Sequence, residues 1–252
     1  MGRIRTKEML SFLSCRFRQM YMHQTERLKQ IRLSDILQEA DGYFLACKNV
    51  LLIGDFIRDG INRIMLPIEE NLFQYLLVDL AVFVCEKTYG GTKSVAEGID
   101  LEFDKDGVKY IVTIKSGPNW GNSRQIAAMK RDFNKAKKIL RTNAPDKNII
   151  AICGCGYGRD NNPDKGEYLK LCGQRFWHFI SGDKGLYTKI IEPLGHKAKE
   201  RNEQFLESYS QIINKFTIEF ANEFCIDGRI NWEKLVKFNS SILPPSKSKK
   251  KT

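Results

Sequence analysis

The sequence has no long hydrophobic run and no pattern among its cysteines. No stretch approaches the roughly 18 apolar residues that a membrane-spanning helix needs, so no such helix is predicted. The first residues, MGRIRTKEMLSFLSC, have neither an extended apolar core nor a cleavage site, and no signal peptide is predicted. The seven cysteines are odd in number and irregularly spaced, which is typical of reduced thiols and not of a disulfide framework. We therefore expect a cytoplasmic protein without a membrane partner.

The sequence is also short of acidic residues. It has 41 lysines and arginines against 30 aspartates and glutamates, which gives a net charge of +11. Lysines of the C-terminal tail account for only part of this excess, so the body of the protein is basic as well. Such a charge favours a polyanionic partner, of which nucleic acid is the commonest.

The centre of the prediction is the stretch over residues 98–123, GIDLEFDKDGVKYIVTIKSGPNWGNS. Two β-rich runs, Ile99–Phe103 and Val108–Ile114, flank an Asp-Gly turn, which predicts a β-hairpin because glycine accepts the positive φ of such a turn. The second run is apolar on both faces up to Lys115, so it should be a buried strand. The hairpin returns Asp100 to the side of Lys115, and buried Asp and Lys are rare unless they are paired or hold a metal.

The length permits one generous domain or two modest ones. We predict an α/β fold with a central mixed β-sheet flanked by helices, and helical additions at both ends of the chain. The predicted segments form one compact domain and are, in order, a helical N-terminal segment over 1–64, a core over 65–195, a C-terminal helical segment over 196–243 and a disordered basic tail over 244–252.

Apolar periodicity and turn signals predict the remaining elements. They are a helix within 1–30, a helix over Leu33–Cys47 capped by Ser34, a loop or short helix over Val50–Ile64, a buried helix from Pro67 to Gly90, a helix with a basic outer face over Arg124–Arg141 capped by Ser123, strands at Asn148–Cys155 and Tyr168–Cys172, and helices over Leu186–Leu194, Lys197–Phe224 and Ile230–Ile242. The aromatic stripe of the Lys197–Phe224 helix is typical of a core, with a dimer interface as the second interpretation.

The hairpin can carry a specific chemistry. A carboxylate oxygen of Asp100 is the kind of ligand that Mg²⁺ prefers. Lys115 can stabilise the charge that develops on a reacting phosphate, or orient an attacking water. Together the two residues suit the hydrolysis of a phosphodiester.

The same residues carry a family resemblance. Asp100, the hairpin and Thr113-Ile114-Lys115-Ser116-Gly117 resemble the PD-(D/E)XK nuclease motif. The extension KSGPNWGNS over 115–123 and the later QRFWHFISGD over 174–183 resemble type II restriction endonucleases, in particular the group that cuts interrupted GG…CC sites. The resemblance covers roughly residues 65–195. It implies a restriction-endonuclease-like core and a Mg²⁺-dependent, site-specific deoxyribonuclease of a prokaryotic restriction–modification system.

The resemblance also implies roles for individual residues, with one departure. Asp100 would be the metal-binding aspartate and Lys115 the catalytic lysine. The third catalytic position, which is normally Glu or Asp, is Thr113 here. Its neutral hydroxyl cannot supply the charge of a carboxylate.

Three accounts of Thr113 are open. The acid has moved elsewhere, to Glu102 on the same strand face as Asp100, or to the more distant Glu97 or Glu70. Alternatively, Asp100 and the carbonyl of Ile114 hold the metal together with water and the DNA phosphate. In the third account the chain is a catalytically impaired protein that binds DNA without cutting it well, which is the alternative to the nuclease.

Several polar residues are expected to contact double-stranded DNA. Those of the loop after Lys115 should lie beside the scissile phosphate, and Arg159 lies in a long polar loop from which it could reach guanine in the major groove. The tryptophan of the first loop could instead pack that loop onto the body. The predicted DNA-binding residues are Ser116, Asn119, Trp120, Asn122, Ser123, Arg124 and Arg159. A symmetric DNA site cut on both strands calls for a homodimer, for which Lys197–Phe224 is one candidate interface.

Overall fold

The computed structural model describes residues 6–242, apart from the side chains of residues 143, 198, 199 and 201. Its elements are, in chain order, α1 (Thr6–Gln30), α2 (Leu33–Gln38), α3 (Gly42–Cys47), α4 (Ile53–Tyr89), β1 (Thr92–Lys93), β2 (Leu101–Lys105), β3 (Val108–Lys115), α5 (Ser123–Asn143), β4 (Ile149–Cys155), β5 (Leu169–Cys172), α6 (Gln174–Ser181), α7 (Leu186–Lys189), α8 (Ile191–Gly195), α9 (Ala198–Phe224), β6 (Cys225–Ile226), β7 (Arg229–Ile230) and α10 (Trp232–Ser240). The tail predicted to be disordered, 244–252, lies outside the described residues.

Five strands form one mixed sheet in the order β1-β2-β3-β4-β5. β1, β2 and β3 pair in antiparallel fashion, whereas β3, β4 and β5 are parallel. The parallel step from β3 to β4 passes through α5, as a crossover between parallel strands requires. The predicted α/β fold, with a central mixed sheet flanked by helices, is confirmed.

The hairpin forms as the sequence predicts. Its turn residues Asp106 and Gly107 have φ of 52° and 78°, and two positive φ values in succession are those of a type I′ turn. The register pairs Leu101 with Val112 and Lys105 with Val108. Residues 111–114 of β3 are buried on both faces of the sheet, and the strand ends at Lys115, which is partly buried.

The chain divides into two compact units. Unit 1 contains residues 6–19 and 71–198, and its apolar cluster between α5 and the sheet includes Ile111, Phe133 and Cys153. Unit 2 contains residues 20–70 and 199–242 of the described chain. Its core includes Phe220 and Phe224, so the aromatic stripe of α9 lies in a core as first interpreted. The four segments predicted from the sequence stay a prediction, since compactness is no test of independent folding.

Helix α4 differs most from its prediction. Pro67 was expected to begin a helix, with a loop or short helix before it, but one helix runs from Ile53 through Pro67 to Tyr89. A proline inside a helix removes a hydrogen bond and costs about 3 kcal/mol. Phe56, Ile57 and Ile61 are buried in the core of unit 2, and each such side chain contributes about 1.5–3 kcal/mol. The free energy gained by burying these side chains therefore exceeds the cost of placing Pro67 inside the helix.

Smaller differences concern helix ends and short strands. The predicted helix over Leu33–Cys47 is interrupted, because the Asp41 side chain accepts a bond from the Phe44 N–H and starts α3 afresh. Ser34 lies inside α2, which begins after Arg32, and does not cap it. Strands β1, β6 and β7 span two residues each and were not predicted. Within residues 6–242, no helix combines the length and apolarity that a membrane crossing requires.

Candidate active site

Asp100 is fixed at the start of β2 by two backbone groups of β3. Its N–H donates to the Val112 carbonyl at 2.9 Å, which extends the antiparallel ladder by one residue. One carboxylate oxygen, Oδ2, accepts a hydrogen bond from the Ile114 N–H at 2.6 Å. Both contacts follow from the register of the two strands, which therefore helps to orient this carboxylate.

The charge on Asp100 is poorly solvated. Burial raises the pKa of the Asp100 carboxyl above its ordinary value, and this effect outweighs the bond from Ile114 and the charges of Lys115 and Lys93, which lower the pKa. A carboxylate held in a site that disfavours its charge is typical of functional positions, because a bound cation removes the penalty.

Lys115 ends β3, where alternation places its side chain on the sheet face that α5 covers. Its Nζ lies 4.9 Å from the centroid of the Trp120 ring, a cation–π contact. Trp120 in turn is partly buried against the apolar cluster that includes Cys153 and Met129. The tryptophan thus packs the loop onto the body and supports the lysine, and its contact with DNA stays a prediction.

Thr113 has a structural partner. Its side chain is 4% exposed, and its Oγ1 donates to the Gly98 carbonyl at 2.6 Å. The hydroxyl therefore ties the segment that leads to Asp100 onto β3. Asp132 of α5 packs closely against Gly98. A Cβ at position 98 would lie 2.5 Å from Oδ2 of Asp132.

Replacement of Thr113 by Val is expected to lower the free energy of unfolding by about 1 kcal/mol, because an isosteric side chain cannot donate to the Gly98 carbonyl. Urea denaturation of the two proteins measures the difference. The matched control is Thr92→Val, which removes a hydroxyl from an exposed threonine of β1 and should stay within about 0.5 kcal/mol of the parent. Equal free energies of unfolding for the Thr113→Val protein and the parent would contradict a structural role of the Thr113 hydroxyl.

Two of the acids proposed to replace the missing carboxylate have partners within the protein. Glu102 accepts a hydrogen bond from Ser94 Oγ at 2.5 Å, and its Oε2 lies 3.3 Å from Lys109 Nζ. Glu97 pairs with Lys135 at 2.9 Å. Glu70 lies in the part of α4 that belongs to unit 2. Within residues 6–242, no group of three or more His, Cys, Asp or Glu side chains is arranged to hold a metal ion.

Gln74 of α4 was not singled out from the sequence. Its Nε2 donates to the Ile114 carbonyl at 2.8 Å, and its Oε1 accepts the hydroxyl of Ser116 at 2.5 Å. One amide therefore contacts the residues on both sides of Lys115. Nothing in the sequence predicts such a role for a glutamine within an apolar helix. The single hydroxyl proton of Ser116 points to Gln74, and the predicted DNA contact of Ser116 stays a prediction.

The loop after Lys115 ends at the N-cap of α5, which lies one residue before the predicted cap. Asn122, and not Ser123, caps α5: its Oδ1 accepts from the Gln125 N–H at 3.1 Å, and the Gln125 side chain accepts from the Asn122 N–H at 3.0 Å. Asn119, Ser123 and Arg124 are exposed, so their side chains are accessible to a ligand.

A second loop, after β4, adjoins the first. The N–H groups of Gly156 and Tyr157 donate at 2.9 Å to the carbonyls of Lys115 and Ser116. The Tyr157 ring lies directly on Gly117, where any Cβ would collide with it. Arg159 follows, exposed, on the wall of a cavity of about 470 Å³ that Arg175 and Tyr187 also line. The structure thus brings Arg159 into the loop next to the Lys115 segment.

The basic face predicted for α5 is partly neutralised. Lys130 pairs with Glu167 at 2.8 Å, and Lys135 pairs with Glu97. Arg124, at the start of the helix and exposed, is the basic residue of α5 nearest in sequence to Lys115.

Comparison with known proteins identifies the family of this chain. The family model described as type II restriction endonuclease EcoO109I matches residues 7–202, which is most of the chain. No curated protein matches the sequence. The predicted resemblance to type II restriction endonucleases is therefore confirmed. The matched range includes the entire five-stranded sheet and both loops beside Lys115, and the chain belongs to the EcoO109I family of type II restriction endonucleases.

Proposed function

We propose that this protein hydrolyses phosphodiester bonds of double-stranded DNA at a short interrupted GG…CC site, with Mg²⁺ as cofactor, as part of a prokaryotic restriction–modification system in the cytoplasm. The observation that carries the proposal is the Asp100 carboxylate, held on the backbone of β3 at Ile114, directly before Lys115. The family supplies the reaction class, and the remainder of the proposal concerns how these residues perform it.

The residues present fit one weakly held divalent ion. Mg²⁺ is usually bound by one or two carboxylates, with several waters and substrate phosphates as its other ligands. Asp100 offers Oδ1, and the Ile114 carbonyl retains a second lone pair beside its bond to Gln74. We propose these two as protein ligands. When bound, the metal supplies positive charge to the scissile phosphate and lowers the pKa of a coordinated water.

Lys115 has the second role in the proposed reaction. A water oxygen bonds to phosphorus and gives up a proton to the solvent, the bond from phosphorus to the leaving sugar oxygen breaks, and that oxygen takes up a proton from solvent water. Negative charge grows on the phosphate oxygens during this step, and the ammonium of Lys115 stabilises it. Its contact with Trp120 orients the side chain without neutralising its charge, since an aromatic face leaves the N–H donors available.

The loop residues position the DNA in this proposal. Asn119, Ser123 and Arg124 bond phosphate oxygens near the scissile bond, and Arg159 contacts a base from the neighbouring loop. The acids that could add negative charge at the metal are Glu102, Glu97 and Glu70.

A homodimer is part of the proposal, because cutting both strands of a symmetric site needs two active sites related by a two-fold axis. The buried stripe of α9, which includes Phe216 and Phe220, is used in the core of unit 2. An interface on α9 would therefore use its exposed side, where Leu206 and Ile218 are 47% and 62% exposed.

The second candidate is a protein of this family that binds DNA without cutting it. Thr113 favours it, since the hydroxyl is committed to the Gly98 carbonyl and brings no charge to the metal. The two candidates differ in whether DNA is broken, and agree in predicting tight binding that weakens with salt.

Incubation of the purified protein with long unmethylated DNA and Mg²⁺ is expected to give discrete fragments whose ends map to one short site, and no fragments when Mg²⁺ is replaced by a chelator. Intact DNA, with retained salt-sensitive binding, would contradict the nuclease and support the second candidate. Thr113→Glu then becomes informative, because recovered cutting would identify Thr113 as the lesion.

A further inference from the structure

We propose that Gln74 is a positioning residue for Lys115. This inference rests on the proposed nuclease function and adds a residue to it. Gln74 is the residue of α4 whose side chain bonds both neighbours of Lys115, the Ile114 carbonyl and the Ser116 hydroxyl.

The side-chain chemistry of this position is specific. The Ile114 carbonyl requires a donor and the Ser116 hydroxyl is here a donor that requires an acceptor. A primary amide supplies both from one planar group, whereas an ionised carboxylate supplies acceptors alone. Gln74 therefore fixes two atoms that flank one residue, which restricts rotation of the Lys115 backbone more than either bond would alone.

The helix that carries Gln74 is a firm support. Leu76, Leu77 and Leu80 of α4 are buried, so the helix backbone is held by packing. Leu77 also packs against Gly156, whose N–H donates to the Lys115 carbonyl at 2.9 Å. The peptide at Lys115 is thus held from α4 on one side and from the loop after β4 on the other.

Gln74 acts through the backbone on both sides of Lys115, including the Ile114 carbonyl proposed above as a metal ligand, and not on the scissile phosphate itself. Alternation along β3 places the Lys115 side chain on the sheet face opposite to that of Ile114, and its ammonium contacts Trp120. A misplacement of about 1 Å in a catalytic group can cost about 100-fold in rate. Loss of Gln74 should therefore slow the reaction and leave DNA binding almost unchanged.

The test compares Gln74→Ala with Asn71→Ala, which removes an exposed amide from the same helix. We expect Gln74→Ala to lower kcat about 10- to 100-fold with less than about a threefold change in DNA affinity. Asn71→Ala should match the parent in both. Amide hydrogen exchange of the peptide that spans residues 114–120 should be faster in Gln74→Ala, and unchanged in the control.

A third variant separates positioning from simple packing. Gln74→Met keeps a side chain of similar length but neither donates to the Ile114 carbonyl nor accepts from the Ser116 hydroxyl. Its kcat should therefore fall about as far as that of Gln74→Ala. A kcat of Gln74→Met equal to that of the parent would contradict the proposed role of the amide.

The outcomes distinguish this proposal from the function on which it rests. A parent protein that leaves DNA intact overturns both the nuclease and a catalytic role for Gln74, and the exchange data then report only a structural contact. A parent that cuts DNA, with kcat unchanged in Gln74→Ala, overturns the Gln74 proposal alone. An equal loss of affinity and kcat would overturn it too, since the residue would then act in binding.

Discussion

Asp100→Asn is expected to reduce the rate of DNA cleavage by about 10³-fold or more, and at the same time to raise the Tm of the metal-free protein at neutral pH. Asparagine keeps an oxygen that accepts from the Ile114 N–H, so the hairpin should stay in register. It loses the charge that attracts the metal. It also loses the penalty of burying that charge, which is the reason for the gain in stability.

The pH dependence of this gain has a definite sign. Burial raises the pKa of Asp100 in the folded protein above its value in the unfolded chain. The folded state then holds the proton more tightly, so the stability contributed by Asp100 falls as the pH rises through the window between the two pKa values. The parent should lose stability relative to Asp100→Asn across that window, and scanning calorimetry in a chelator from about pH 4 to 8 measures the difference.

Asp106→Asn is the matched control. Asp106 is exposed at the turn of the same hairpin with a positive φ, which asparagine also tolerates. Its cleavage rate and Tm should equal those of the parent. A Tm of Asp100→Asn that is equal to or below that of the parent at neutral pH would contradict the burial penalty, and undiminished cutting would contradict the metal role.

Lys115→Ala is expected to lower kcat by about 10²- to 10³-fold, the usual effect of removing one group that stabilises transition-state charge. DNA affinity should change little, because one lysine is a small part of a basic surface and because the charge is needed chiefly when the phosphate reacts. Single-turnover cleavage and a binding titration without metal measure the two quantities separately.

Lys138→Ala removes an exposed lysine of α5 and serves as the control for net charge. It should leave kcat unchanged. If Lys115→Ala and Lys138→Ala weakened DNA binding equally and neither slowed cutting, Lys115 would be one of many phosphate contacts and not the catalytic lysine.

The hairpin was predictable because its determinants are local. Asp-Gly requires positive φ values, the apolar alternation determines the pairing, and the spacing from Asp100 to Lys115 then follows from the register. The proximity of Asp100 and Lys115 could be predicted from the sequence for the same reason. The family resemblance added the loop from Ser116 to Ser123 as a candidate DNA contact, which no local rule would have indicated.

The parts that were not predicted depend on contacts distant in sequence. Pro67 reads as the beginning of a helix, and only the core of unit 2 explains why the helix continues through it. Gln74 is 40 residues from Ile114 along the chain, and nothing in either segment indicates that they meet. In the sequence, Thr113 was interpreted as a substitution of the usual acidic residue. Its hydrogen bond to the Gly98 carbonyl depends on how the chain turns before Asp100.

The division of the chain has a consequence for synthesis on the ribosome. All residues of unit 1 have been made once residue 198 has been added, so the sheet with Asp100 and Lys115 can form early. In the core of unit 2, apolar side chains from residues 28–65 pack against apolar side chains from residues 213–235. The second group is synthesised last. During that interval the apolar side chains of the first group lack their partners, and such surfaces promote aggregation. A chain released early would therefore carry the complete hairpin of Asp100 and Lys115 and an unfinished second core.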